Sequence, residues 1–237
     1  MNPRLLLVLV GLAALLGWLW LNTGNESEPT WIIRADTPTV IGGYGDNFAY
    51  SGENVRPMDG TLELRLNTVR RTGKITVSLQ TIDANGPLRV SAEQSLDGEI
   101  TLISQIDTTA TTTEEAFVHG DTGIGGPELP RTYATVVGWS RFDVFVDGVR
   151  MYEDLSGEWA LIQALRKNDG AIRQSGLVYS PLLRDKRGFA DPEASEFLLL
   201  LHSDAEDSDN VPSYAVALHL VFANVTIEMG PLKELGA

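Results

Sequence analysis

Residues 5–21 carry no charge and no hydrogen-bonding side chain other than two indoles: nine Leu, two Val, two Ala, two Gly, Trp18 and Trp20. A run of that composition has few options in water. As a helix rising 1.5 Å per residue it extends roughly 26 Å, close to the ~30 Å hydrocarbon layer once Trp18 and Trp20 settle at the membrane interface. At about −0.5 kcal/mol each, the leucines favour insertion by about 4–5 kcal/mol, which offsets the glycines. The sequence therefore predicts a transmembrane anchor in residues 1–22, a tether in residues 23–30 and a folded domain in residues 31–237.

A secretory signal peptide has a similar outline, with Arg4 as its positive start. Its cleavage needs small residues at the −3 and −1 positions, whereas this run leaves the apolar segment as Trp-Leu-Trp-Leu-Asn-Thr, so the helix is expected to be retained. The chain has no cysteine to carry a lipid there. Gly11, Ala14 and Gly17 recur every third residue, and small side chains let helices approach closely in lipid, so they form the expected helix-packing stripe. Arg4 precedes the run, Glu26 and Glu28 follow it, and the next basic residue is Arg34. That asymmetry predicts a single pass through the cytoplasmic (inner) membrane, with the N-terminus in the cytoplasm and the domain extracytoplasmic or periplasmic.

With 43% hydrophobic residues the chain can bury a substantial core. Zero cysteines exclude disulfide scaffolds, thiol catalysis and cysteine metal sites. Eighteen basic residues against 32 acidic ones give a net charge of −14. Nucleic-acid binding needs clustered Lys and Arg, so this balance argues against it and favours a solvated acidic surface.

Beyond the tether the dominant pattern is period two. Leu62, Leu64 and Leu66 alternate with Glu63, Arg65 and Asn67, and residues 74–82 repeat the pattern, predicting a hairpin across residues 70–73. Residues 88–90 and 100–106 read as further strands around an Asp97-Gly98 turn. Residues 107–130, with a threonine run and then a glycine-rich stretch, read as a long surface loop and candidate contact surface, or as a boundary between two sandwiches. Asp147-Gly148 between residues 141–146 and 149–153 is a strong hairpin signal that points Phe142, Val144 and Val146 inward. Trp159, Ile162 and Leu165 have helical spacing between Ser156 and Asn168-Asp169-Gly170, predicting one short helix at residues 158–167. A strand follows near residues 177–179, and residues 180–194 form a loop with the densest basic cluster. Residues 197–201 and 215–221 read as paired strands across the acidic loop 204–213, with a bulge near Ala223 and Asn224. Many short antiparallel strands without βαβ alternation predict a mainly β fold, an antiparallel β-sandwich of jelly-roll type, with that one helix.

Chemical motifs are sparse. Glu115, His119 and Asp121 could supply a mixed nitrogen and oxygen metal site, but the glycines after His119 oppose the helix that would bring them together. His202 and His219 fall on adjacent strands without facing each other, His202 near Ala215 and His219 near Leu198, which favours a structural role. Asp204, Glu206, Asp207 and Asp209 lack the alternation and the glycine of a calcium loop and read as a solvated turn. Gly42-Gly-Tyr-Gly and Gly123-Ile-Gly-Gly lack the setting and lysine of a phosphate loop, and no nucleophile elbow or catalytic triad signature is present. No catalytic residue, cofactor or metal site is therefore expected. The anchor, the acidic β domain and the missing motifs point to a non-catalytic accessory subunit of a larger integral membrane complex, for example a photosynthetic or respiratory assembly. Its expected partners are integral membrane subunits, with lipid around its helix. The alternative is an anchored carbohydrate-binding module using Tyr44, Phe48, Tyr50 or Trp139, and a third reading is an anchored hydrolase with dispersed carboxylates.

Overall fold

The computed structural model describes residues 29–45, 55–81, 86–107, 110–127, 129–167, 171–173, 190–210 and 213–231. The expected membrane helix with Gly11, Ala14, Gly17, Trp18 and Trp20 lies outside them, as do Phe48, Tyr50, the strand at 177–179 and most of the basic segment. Twelve strands run in chain order: β1 (Pro29–Gly43), β2 (Arg56–Pro57), β3 (Asp59–Asn67), β4 (Thr72–Gln80), β5 (Leu88–Arg89), β6 (Ser95–Leu96), β7 (Glu99–Ile106), β8 (Thr111–Val118), β9 (Thr132–Val146), β10 (Val149–Ala164), β11 (Asp191–His202) and β12 (Ala217–Pro231).

Eight of them close into an antiparallel barrel in the order β1–β3–β4–β7–β9–β10–β11–β12 and back to β1. The expected mainly antiparallel β architecture is present, but as a closed barrel and not as a sandwich. Alternating patterns are identical in the two architectures. What selects the barrel is strand length with bulges: β1, β9, β10 and β12 reach 15 or 16 residues, and register shifts between Arg34 and Asp36, Asp36 and Pro38, and Val40 and Gly42 bend β1 so that the sheet can curl. The bulge expected near Asn224 is one of these, with Asn224 at φ 48°.

The two predicted hairpins form as expected. β3 and β4 pair from Asp59↔Gln80 to Asn67↔Thr72. β9 and β10 turn at Asp147 (φ 49°) and Gly148 (φ 77°), the left-handed pair that a type I′ turn requires. β11 and β12 pair across the acidic loop, but His202 lies opposite Ala217 and His219 opposite Leu200, two residues from the expected register because the turn centres near Asn210, with Glu206 bridged to Tyr214 and Asp207 N–H donating to Ser213 O.

The expected helix at 158–167 is not one: residues 149–164 form β10, and no helix occurs among the described residues. The second half of β10 is buried on both faces, Trp159 and Leu161 toward the interior and Ala160 and Ile162 outward, so alternation disappears from its sequence. The expected long loop 107–130 is likewise interrupted by β8, which pairs with the first half of β9.

The interior is filled. Trp159, Phe142, Phe197 and Phe222 join Leu62, Leu64, Leu66, Ile75, Val77, Leu79, Ile100, Leu102, Leu199 and Leu220 in one buried cluster. Gly138 and Gly157 make room for the rings: a Cβ on the first would run into Trp159 and one on the second into Phe142. The Trp159 indole donates to Ser140 Oγ (3.1 Å), to which Ser104 Oγ also donates (2.8 Å), so these three polar side chains are paired with one another.

Candidate functional site

With the interior occupied by side chains, contacts with other molecules fall to the ends and outer wall of the barrel. The wall formed by β9, β10, β11, β12 and β1 is unusual in having its own apolar cluster: Ile41, Val137, Ala160, Ile162, Leu198 and Val221 from the strands, with Val118, Leu129, Leu165 and Ile172 packed over them. Register aligns Trp139, Glu158, Leu200 and His219 in one row across four strands, and Arg141, Ser156 and His202 in the next. The first row is largely covered and the second open.

The cover comes from residues 119–127 and 129–131 between β8 and β9. His119 sits at φ 63° at its start, and its N–H donates to the Ile124 carbonyl (2.6 Å), while Gly120 N–H donates to Leu129 O (3.0 Å) and Leu129 N–H to Gly126 O (3.3 Å). These bonds fold the glycine-rich stretch into tight turns. Gly125, at φ +73°, lies so close to the wall that a Cβ would stand 2.6 Å from Glu158 Oε1 and 2.7 Å from His119 Nδ1. Glycine is required there on both counts.

Beneath this cover ionisable groups are buried. His119 and His219 are each 1% exposed, and His119 Nε2 lies 3.8 Å from Glu158 Oε1. Burial lowers the His119 pKa from 6.5 to about 4, with a backbone hydrogen bond to Gly126 opposing. At neutral pH its ring is uncharged, so the contact with Glu158 is not an ion pair. Burial also holds His219 well below its ordinary value, reinforced by the nearby Arg166 guanidinium and by His119. Further along the wall burial raises the Glu196 carboxyl, against the pull of Arg166 and of the Leu165 and Arg166 amides. The three candidate metal ligands part company: His119 is buried, whereas Glu115 and Asp121 are exposed, and Asp121 lies 3.8 Å from Arg131. Among the described residues no group of three or more His, Asp or Glu could hold a metal ion.

The open half is a cleft of about 660 Å³ where β9 changes partner. β7 pairs with β9 as far as Ile103↔Asp143, and β8 takes over at Thr111↔Trp139. Opposite the gap β10 bulges between Tyr152 and Leu155, with Asp154 at φ 60°. Asp204 stiffens the floor: it accepts from Arg141 Nη1 (2.8 Å) and Ser156 Oγ (2.7 Å), and these bonds, Ser156 first, hold its carboxyl below the usual range. His202 stacks on Tyr214 at 4.0 Å, with its Nδ1 3.0 Å from the Ser203 carbonyl.

The acidic loop is a hydrogen-bonded turn. Tyr44 OH donates to Asp207 (2.5 Å), the Asp209 N–H donates to the same carboxylate (3.0 Å), and Arg89 covers the Tyr44 ring at 4.9 Å. Tyr44 is thus bound within the fold, whereas Trp139 lines the cleft. Comparison with protein-family models, curated proteins and solved structures finds no match.

Proposed function

We propose that this chain is a non-catalytic accessory subunit of a larger integral membrane complex, held by a helix over residues 5–21, with the barrel on the periplasmic or extracytoplasmic face. The observation that carries the reading is the filled interior: Trp159, Phe142, Phe197 and Phe222 occupy the space that a carrier barrel leaves for a ligand. The barrel then acts as a rigid scaffold whose working surface is its outside. The composition of residues 5–21 supports anchoring, and Gly11, Ala14 and Gly17 offer a face for close contact with neighbouring helices. Among the described residues no helix is long and apolar enough to cross a membrane, so the anchoring rests on residues 5–21.

Extraction in a mild detergent followed by crosslinking mass spectrometry tests the role. The expected result is co-purification of the intact N-terminus with integral membrane subunits, with crosslinks from both the 5–21 region and the barrel exterior. A chain that starts beyond residue 21, or one that migrates alone with crosslinks only to itself, contradicts it.

A further inference from the structure

We propose that the open cleft on the barrel wall is a binding site for an uncharged saccharide, with Trp139 as its stacking platform. This goes beyond the accessory role and stands apart from it, since a subunit can dock through its helix whether or not the cleft is occupied.

The cleft is built by the backbone. The handover of β9 from β7 to β8 and the facing β10 bulge at Asp154 leave a recess of about 660 Å³ on an otherwise continuous wall, within the range that small-ligand sites occupy. Trp139 and Arg141 are on the same face of β9, and register places Ser156 and His202 beside Arg141 in one row. Gln105 enters from β7 and Asp154 from the bulge. One half-buried indole is thus surrounded by an amide, two hydroxyls, an imidazole, a guanidinium and two carboxylates, Asp107 and Asp154.

Ligand class follows from that set. A pyranose offers a flat C–H face that packs on an indole and a rim of hydroxyls that both donate and accept. An apolar ligand would strip water from the polar rim without replacing its hydrogen bonds. An anion finds no spare positive charge, because Arg141 is committed to Asp204 at 2.8 Å on a chain of net charge −14. Asp107 and Asp154 also line the cleft, so a cation is the competing occupant, and the comparison with spermidine decides between the two. The Asp204 bonds hold Arg141 and Ser156 in place without a ligand, so little ordering cost remains for binding.

Titration calorimetry on the full chain in a non-glycosidic detergent tests this, with maltohexaose, cellohexaose and the hexamer of N-acetylglucosamine as probes and spermidine as the cationic comparison. At least one oligosaccharide should bind, Trp139→Ala should weaken it about tenfold or more, and Gln105→Ala should weaken it several-fold. Trp139 also packs against the outer apolar cluster. Should its replacement unfold the chain, the exposed Gln105→Ala and Asp154→Asn variants decide the matter. Three silent oligosaccharides at millimolar concentration, binding unchanged by the cleft variants, or preference for spermidine would each overturn the proposal.

Discussion

The two faces of β10 show two ways of burying a strand. Toward the interior, Leu155, Trp159 and Leu161 enter an apolar core whose few polar atoms, Trp159 Nε1 with Ser140 and Ser104, bond to one another. Toward the outside, Glu158, Ala160 and Ile162 are as deeply buried, but under a glycine-rich cover that traps His119 and His219 with them. The interior cluster is apolar, whereas burial lowers the pKa of both imidazoles at the outer wall, so acidification should act on that wall first.

The largest effect separating the faces is expected inside. Phe197→Ala removes a fully buried ring and should cost about 3–5 kcal/mol, read by chemical denaturation at neutral pH and unchanged at pH 5. A loss that grew on acidification would break the distinction.

The outer face should instead respond to protons. His119 has its pKa lowered from 6.5 to about 4 by burial, so the unfolded chain takes up a proton that the folded one refuses. The stability this group contributes is present above pH 6.5 and is lost as pH falls toward 4, amounting to about 3 kcal/mol. His119→Gln should remove that part of the pH dependence while leaving neutral-pH stability comparatively little changed. Parallel stability–pH curves for the two proteins would contradict the assignment.

Ser140→Ala sharpens the comparison on a smaller scale. It strands the buried Trp159 N–H and should cost about 1–3 kcal/mol at every pH, with a changed Trp159 emission in fluorescence. An unshifted denaturation midpoint would show that the Ser104–Ser140–Trp159 set does not hold the core together.

These differences explain what the sequence discloses. Alternation along residues 61–69 and 74–82 declares one buried face, and Asp147-Gly148 declares a turn; both are local properties of the chain. β10 hides because two buried faces erase alternation, leaving Trp159, Ile162 and Leu165 to mimic a helical stripe. β8 hides because threonines and two glutamates supply little apolar signal. Closure is a pairing between remote segments, β1 with β12, helped by β7 with β9 over only four register positions, and no local pattern announces it. Of the site, Trp139 and His119 are conspicuous as residue types. Their surroundings are not: Glu158 reaches His119 from another strand, and Ser156 and His202 join Arg141 only once the register is set.

Hydrogen exchange at pH 7.5 and pH 4.5 tests the central distinction most directly. The amides of His119, Gly120 and Leu129, which close the cover onto the wall, should lose protection at pH 4.5 while Val77, Leu102 and Leu199 of the barrel ladder keep theirs. Equal loss in both sets, or none in the cover, would contradict it.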